Sequence, residues 1–471
     1  MLPEALVSCH PGRQATGYRK ERTSRFVPLL TVQDEKGLHC GYAAWLDILC
    51  STKGKNGELE GAVIGCFSAV SYDFYNEDGL SAIVEAAAAM LQPALLLEGG
   101  SEEYTYITSD TESITVGVTY AQLAPDASKQ VSAEIVLYRD GMPLARYTPT
   151  AEDFDENGTA TYSYGASYAI AGGQPDNVEV TLLYGGEVID CVKQSVRFWA
   201  AKPLSERKYV YTEDGRFKQD GKTVNFYGIN YMPSSGIAEP DNWYFEHYVC
   251  RGAYDPDVIR ADLARVKDIG FNAISVFLHG FALDSNNMLD MICICEEMGL
   301  YVDLGIRSNN HYDAEFIYYS KADADRLIRP LHFHENDTVI AYDINWERVI
   351  GSYESKPYLG RKRWDAQWRQ WIVDQYGSVE HAEALWGCSA PRIDGEIVGI
   401  QDDDIMDIVK FVYLVVFDGM RAAMFAVVDD MDDPNLTASQ KMEILMTVYG
   451  EFKAANPTIV DESPELVVVE N

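Results

Sequence analysis

Thr338-Val-Ile-Ala-Tyr-Asp-Ile-Asn-Trp-Glu347, followed by Arg348-Val-Ile-Gly351, is an apolar, β-branched run that stops at a tryptophan and a glutamate. A run of this kind reads as a buried strand. A carboxylate at the carboxyl end of a buried strand is where a (β/α) barrel keeps its reacting groups, so Glu347 points to acid/base chemistry on a small polar substrate.

The same strand form recurs upstream. Val224-Asn-Phe-Tyr-Gly-Ile-Asn-Tyr231 ends in polar and aromatic residues, Phe271-Asn-Ala-Ile-Ser-Val-Phe-Leu278 is the next apolar run, and Leu300-Tyr-Val-Asp-Leu-Gly-Ile306 the third. Helical patterns lie between them. Asp255 is a natural N-cap, Pro256 fits the first helical position, Ile259, Leu263 and Val266 make an apolar stripe, and Gly270 stops the helix. Ser285 to Met298 forms a second helix closed by Gly299. Strand, helix, strand at this spacing, with runs apolar on both faces, is the sequence form of parallel βα units. Asp214-Gly215 and Asp220-Gly221 mark two turns that frame a small hairpin ahead of the first strand.

Nearer the amino terminus the periodicity changes. From about Glu103 to Ala200 short alternating runs, such as Ser113 to Tyr120, Ser132 to Tyr138 and Val178 to Tyr184, are punctuated by Asp140-Gly141 and Gly185-Gly186. This pattern predicts an antiparallel β-sandwich of immunoglobulin-like type serving as a structural spacer. Before it, Phe26 to Val32 and Gly61 to Phe67 read as strands and Ser81 to Leu91 as a helix. The expected organisation is therefore a small α+β region over 1–100, possessing no recognisable first element and read as part of a larger domain, a sandwich over 101–203, and a (β/α) barrel over 204–471.

With 471 residues and 47 % hydrophobic composition the chain has material for several cores. Its 73 acidic and 38 basic residues leave a net charge of −35, which repels phosphate backbones and anionic lipid and argues against a nucleic-acid partner. No run approaches the roughly 20 apolar residues that span a bilayer. Met1 to His10 lacks a basic region followed by an apolar segment, so no signal peptide is expected in this chain. Localisation stays open between extracytoplasmic, if a leader precedes Met1, and cytoplasmic. Nine cysteines without framework spacing argue against a disulfide scaffold, and no His or Cys stands at ligand spacing around Cys293 and Cys295. No metal and no cofactor are expected. His332-Phe-His334 reads as a solvated loop.

Asp214-Gly-Arg-Phe-Lys-Gln-Asp-Gly-Lys-Thr-Val-Asn-Phe-Tyr-Gly-Ile-Asn230, Arg260 to Leu263 leading into Ile269 to Val276, and Glu296 to Leu304 resemble the opening segments of the catalytic (β/α)8 barrel of retaining glycoside hydrolases related to families 2 and 5. The resemblance spans about Tyr209 to Gly351. It implies that Glu347, after the fourth strand, is the general acid/base. In those families an asparagine directly precedes that glutamate; here Trp346 does, with Asn345 one place earlier, so the hydrogen bond of that asparagine to the sugar 2-hydroxyl does not carry over. Chemically Glu347 would protonate the departing glycosidic oxygen and later deprotonate water, a role that needs its pKa raised by an apolar wall such as Trp346. The plainer reading of the same glutamate is a strand-end carboxylate paired with Arg348.

Other strand-end residues share that edge: Asn230 and Tyr231 after the first strand, His279 after the second, and Arg307, Asn310 and His311 after the third. Together with Asn345 and Trp346 they are the expected substrate-binding set, and Trp243, Tyr244 and Tyr248 in the first loop are candidate platforms for sugar rings. Trp368 and Trp371 stand at helical spacing and are expected in a core. A retaining mechanism needs a second carboxylate about 5 Å from the first. None is evident after Gly351, and Glu470 is a weak candidate one residue from the chain end. Four parallel strands are also half of what an eight-stranded barrel needs, so either the remaining strands lie hidden between Trp386 and Asn471 or the barrel is incomplete, the second being the favoured expectation. Two function classes stay open: a glycosidase acting on a β-linked oligosaccharide or polysaccharide, and a noncatalytic carbohydrate-binding or scaffold protein with a degenerate barrel.

Overall fold

The computed structural model describes residues 17–19, 24–50, 61–68, 75–90, 92–122, 130–155, 158–166, 174–213, 215–233, 248–278, 283, 285–306, 325–343 and 358–399. The described residues fall into two compact units, one made of residues 17–306 with 325–343 and one of residues 358–399. The chain is largely β-structure with some helices, an α/β plus β architecture. Among the described residues no helix is long and apolar enough to cross a membrane.

In the larger unit, β1 (Ser24–Gln33), β2 (His39–Leu49) and β3 (Val63–Phe67) form an antiparallel sheet in that order, followed by α1 (Glu77–Met90). The central strand β2 was not expected from the sequence. Its Gly41-Tyr-Ala-Ala-Trp45 segment has no strict alternation, because four consecutive residues, Gly41 to Ala44, are buried.

The next elements are β4 (Ala94–Ser101), β5 (Thr105–Ile107), β6 (Ser113–Gln122), β7 (Val131–Arg139), β8 (Met142–Tyr147), β9 (Thr159–Gly165), β10 (Asn177–Tyr184), β11 (Glu187–Ser195) and β12 (Arg197–Trp199). They build two antiparallel sheets, ordered β4-β6-β9 and β11-β10-β7-β8, while β12 pairs in parallel with β5. Leu96, Val116, Val118, Ile135, Leu137, Val178, Val180 and Leu182 come from both sheets and bury their side chains in one shared core. Tight hairpins hold the register. Asp140 and Gly141 adopt φ of 51° and 74°, and Gly185 and Gly186 of 61° and 89°, the positive pair that matches the twist of the flanking strands.

A short meander, β13 (Tyr211–Glu213), β14 (Arg216–Gln219) and β15 (Lys222–Thr223), leads to β16 (Gly228–Asn230). Only the second half of the expected Val224–Tyr231 strand pairs. Asn272 explains this: its side chain accepts from the Tyr227 amide at 2.7 Å and donates to the Asn225 carbonyl at 2.8 Å, so this stretch is held from the side instead of by a ladder. Then come α2 (Pro256–Ile269), β17 (Ala273–Leu278), α3 (Asn287–Met298), β18 (Tyr301–Ile306) and β19 (Val339–Asp343). The four strands β16-β17-β18-β19 form one parallel sheet in chain order.

Helix α2 starts and stops as its sequence dictates. The Asp255 carboxylate accepts from the amides of Asp257 at 2.9 Å and Val258 at 3.2 Å, a cap worth about 1 kcal/mol, and Gly270 closes the helix at φ 107°. Its Ile259 and Leu263 join Met288, Leu289 and Ile292 of α3 against Ile274, Val276, Val302 and Leu304 of the sheet. Burying each large aliphatic side chain here contributes roughly 1.5–3 kcal/mol.

The β-rich part and the βα layer are locked by buried polar bonds. Asp290, 4 % exposed, accepts from the Thr105 hydroxyl at 2.6 Å, the Tyr254 hydroxyl at 2.6 Å and Arg197 at 3.0 Å. Asn286 adds two bonds, from its amide to Glu103 and from its side chain to the Thr105 carbonyl.

The smaller unit contains α4 (Tyr358–Tyr376), α5 (Val379–Trp386), β20 (Arg392–Ile393) and β21 (Glu396–Ile397) around Ile372, Ala382, Ala390 and Ile397. Trp368 packs on this core as expected, but Trp371 is 44 % exposed and stacks on Trp368 with centroids 5.1 Å apart. The spacing of three places them on neighbouring faces, and only Trp368 turns inward.

Candidate functional site

Strand register decides which residues of the parallel sheet can meet. Asn230 of β16 lies beside Ser275 of β17, Ser275 beside Asp303 of β18, and Asp303 beside Ala341 of β19. Neighbours in a ladder share a face, and successive residues of a strand alternate. Asn230, Ser275 and Asp303 therefore lie on the face turned away from α2 and α3, whose side carries Ile274, Val276, Val302 and Leu304. Gly305 beside Asp343 continues this polar row toward the carboxyl ends of the strands.

The Ser275 hydroxyl donates to the Asp303 carboxylate at 3.0 Å. Burial pushes the Asp303 carboxyl above its ordinary range, the Ser275 bond pulls it partly back, and the charge of Asp343 adds to the rise. A carboxyl group beside a hydroxyl, with an exposed amide at Asn230, can donate and accept hydrogen bonds toward a polyhydroxylated molecule. Sequence reading passed over Ser275 and Asp303. The available signal was that each is the lone polar residue at the third place of an otherwise apolar strand, AISVFL and YVDLGI.

Tyr231, expected beside Asn230 in a cleft, points the other way. Its ring is 4 % exposed in the core beneath the helices, its hydroxyl donates to Asp262 of α2 at 3.2 Å, and burial raises its hydroxyl pKa well above the usual value. One residue of chain separates it from Asn230, which is enough to reverse its face. Tyr248 is likewise no sugar platform. It is 1 % exposed and meets the Tyr231 ring edge-on at 6.1 Å. His279, Arg307, Asn310, His311, Asn345, Trp346 and Glu347, as well as Trp243, Tyr244 and Glu470, lie outside the described residues.

The segment expected as a solvated loop is instead a short 3₁₀ turn, Phe333–Glu335, with Phe333 fully buried. His332 bonds Glu335 through Nδ1 at 2.7 Å and Asp110 through Nε2 at 3.0 Å. Burial draws the imidazole pKa down, but the two carboxylates outweigh it and the net shift is upward. Alternation of His332 and His334 hid the aromatic anchor between them. Among the described residues no group of three His, Cys, Asp or Glu could hold a metal ion. Cys293 and Cys295 are buried in α3, where desolvation pushes the Cys293 thiol up to about 12 and leaves it protonated.

No family model matches the chain, and no curated protein does. Among solved structures it is similar to the β-glucuronidase of Parabacteroides merdae, at 14 % identity over 63 % of this chain and 34 % of that one, with a TM-score of 0.23. A β-galacturonidase from Eisenbergiella tayi matches at 11 % identity over 54 % and 40 % of the two chains, TM-score 0.20. The exo-chitosanase of Amycolatopsis orientalis matches at 14 % identity over 53 % and 28 %, TM-score 0.21. The chain spans about a third of the length of the β-glucuronidase it matches.

Proposed function

We propose that the chain is a glycoside hydrolase that cleaves a β-linked glycan with retention of configuration, Glu347 serving as acid/base. The observation that carries this reading is the parallel strand β19, whose sequence continues from Asp343 through Ile344-Asn345-Trp346 to Glu347. In parallel βα folds reacting groups follow the carboxyl ends of the strands, which is where this glutamate stands in the sequence. The polar row of Asn230, Ser275 and Asp303 favours a hydroxyl-rich ligand on the same sheet. His279, Arg307, His311, Asn345 and Trp346 complete the proposed substrate set, and Tyr231 is omitted from it. In this reading residues 204–471 belong to a (β/α) barrel and residues 101–203 to an immunoglobulin-like spacer.

In the first step the anomeric carbon bonds to a second enzyme carboxylate as its bond to the glycosidic oxygen breaks and Glu347 gives that oxygen its proton; in the second, water displaces the carboxylate from the anomeric carbon and returns a proton to Glu347. A panel of aryl β-glycosides tests the reading. Cleavage of at least one substrate is expected, with kcat falling by about 10²–10⁴ in Glu347→Gln, the usual worth of a positioned acid/base. Absence of cleavage across the panel, or equal rates for the two proteins, refutes it.

A further inference from the structure

A cavity of about 630 Å³ opens between β11 and β12 on one side and the first turns of α2 and α3 on the other. Its size falls within the range of roughly 300–1,000 Å³ typical of small-molecule sites. Four basic and four acidic side chains line it, an even balance in a chain with 73 acidic and only 38 basic residues. The cations are already matched. Arg197 bonds Asp290 at 3.0 Å, Arg260 bonds Glu297 at 2.6 Å, Lys193 bonds Glu179 at 2.8 Å, and Arg139 faces Asp140 at 3.7 Å.

We propose that this cavity binds a neutral saccharide, at a site separate from the polar row of the sheet. An anionic ligand would have to compete with a resident carboxylate for every cation, while a cationic one would have to displace Arg197 from Asp290 and Arg139 from Asp140, and Asp176 already accepts from the Asp140 amide and the Asn177 side chain. A hydroxyl both donates and accepts, so it can bond a guanidinium edge and a carboxylate oxygen while the pair between them stays closed. The guanidinium groups have donors to give, since each carries five N–H bonds and Arg139 directs only one terminal nitrogen to a backbone carbonyl, that of Gln174. The ring of Phe198 supplies the apolar wall that the C–H face of a pyranose needs. It is half-buried and held from behind by Tyr106, 5.4 Å away and nearly parallel. The cavity lies on the helix-covered side of the sheet, across from Asn230, Ser275 and Asp303. It does not depend on Glu347.

The test is a binding panel of neutral cello-, xylo-, manno- and malto-oligosaccharides, with galacturonate and chitosan oligomers as charged counterparts. The full chain carries Glu347→Gln so that bound sugars persist. At least one neutral oligosaccharide is expected to bind, and Arg260→Ala and Arg139→Ala are each expected to weaken it tenfold or more at an unchanged thermal midpoint. Arg139 sits in an exposed hairpin, so its variant is read alone if Arg260→Ala does not fold. Binding confined to the charged oligomers, no binding at all, or binding indifferent to both substitutions overturns the proposal. Because hydrolysis is read with wild type and binding with the cavity variants, an inactive chain that still binds through Arg139 leaves the saccharide site standing while the hydrolase reading fails.

Discussion

Arg25 grips Asp190 with both terminal nitrogens, at 2.6 and 2.9 Å, across 165 positions of sequence. The pair ties β1 to β11, and both partners are further bonded: Arg25 donates to the Leu96 carbonyl at 2.8 Å, and Asp190 accepts from the Leu96 amide at 3.0 Å. The arrangement closes a strand pairing of Leu96 through side chains, because β4 bulges at that point between Leu96 and Glu98. With side-chain exposures of only 7 % and 15 %, neither charge has water to fall back on. Arg25→Ala is therefore expected to lower unfolding free energy by about 3–5 kcal/mol, the cost of stranding a buried charge, as measured by urea denaturation. A loss below about 1 kcal/mol would mean that the pair behaves like a surface bridge.

The clasp of His332 with Asp110 and Glu335 makes stability depend on pH in two directions. His332 has a raised folded pKa, so its contribution is fully present below the unfolded value of about 6.5 and is lost as pH rises through the folded one. Asp110 is held low by the Ser109 hydroxyl and then by His332, and Glu335 chiefly by His332, so their contributions are present above about 4 and lost as pH falls through their depressed values. Thermal midpoints should peak between those limits. The His332→Gln variant should flatten the curve on both sides, and an unchanged profile would contradict the clasp.

Asp303 is expected to stabilise the fold less than a neutral isostere would at neutral pH. Its folded pKa is raised, chiefly by burial, so its favourable contribution belongs to pH below the unfolded value of about 3.9 and disappears as pH rises through the folded value. Asp303→Asn should then be more stable than wild type at pH 7 and equal to it near pH 3 in denaturation experiments. Under the proposed function the same substitution lowers kcat. A less stable Asp303→Asn at pH 7 would show that its ionised form is wanted by a partner.

Gly305 tolerates no side chain on the polar face of β18. A Cβ there would lie 2.6 Å from the Phe277 ring, which is itself 3 % exposed and cannot swing away freely. Gly305→Ala should cost about 1–3 kcal/mol by overpacking, read from the denaturation midpoint. Gly141→Ala, where a Cβ meets nothing within 4 Å but φ is 74°, separates crowding from backbone strain.

Much of the chain's local structure was written in short-range signals. Asp255, Pro256 and Gly270 set the limits of α2, and the Asp-Gly and Gly-Gly pairs set the hairpins, because a cap or a positive-φ turn involves residues within four positions of one another. The order of apolar runs likewise gave the four parallel strands. Central β2 escaped because its buried stretch does not alternate, and the first half of the Val224 run escaped because Asn272, 45 positions away, takes its backbone bonds.

The sequence alone determined the order in which polar residues such as Asn230, Ser275 and Asp303 stand along the strands, and it left their faces open. Tertiary structure decided those. It turned Asn230 toward Ser275 and Asp303, sent its neighbour Tyr231 and the loop residue Tyr248 into the helix-covered core, and gave Asp290 a guanidinium partner 93 positions away. The physical reason is one of range. Caps and turns are satisfied by neighbours in the chain, whereas a buried hydroxyl, carboxylate or guanidinium must find its partner wherever packing brings one within about 3 Å.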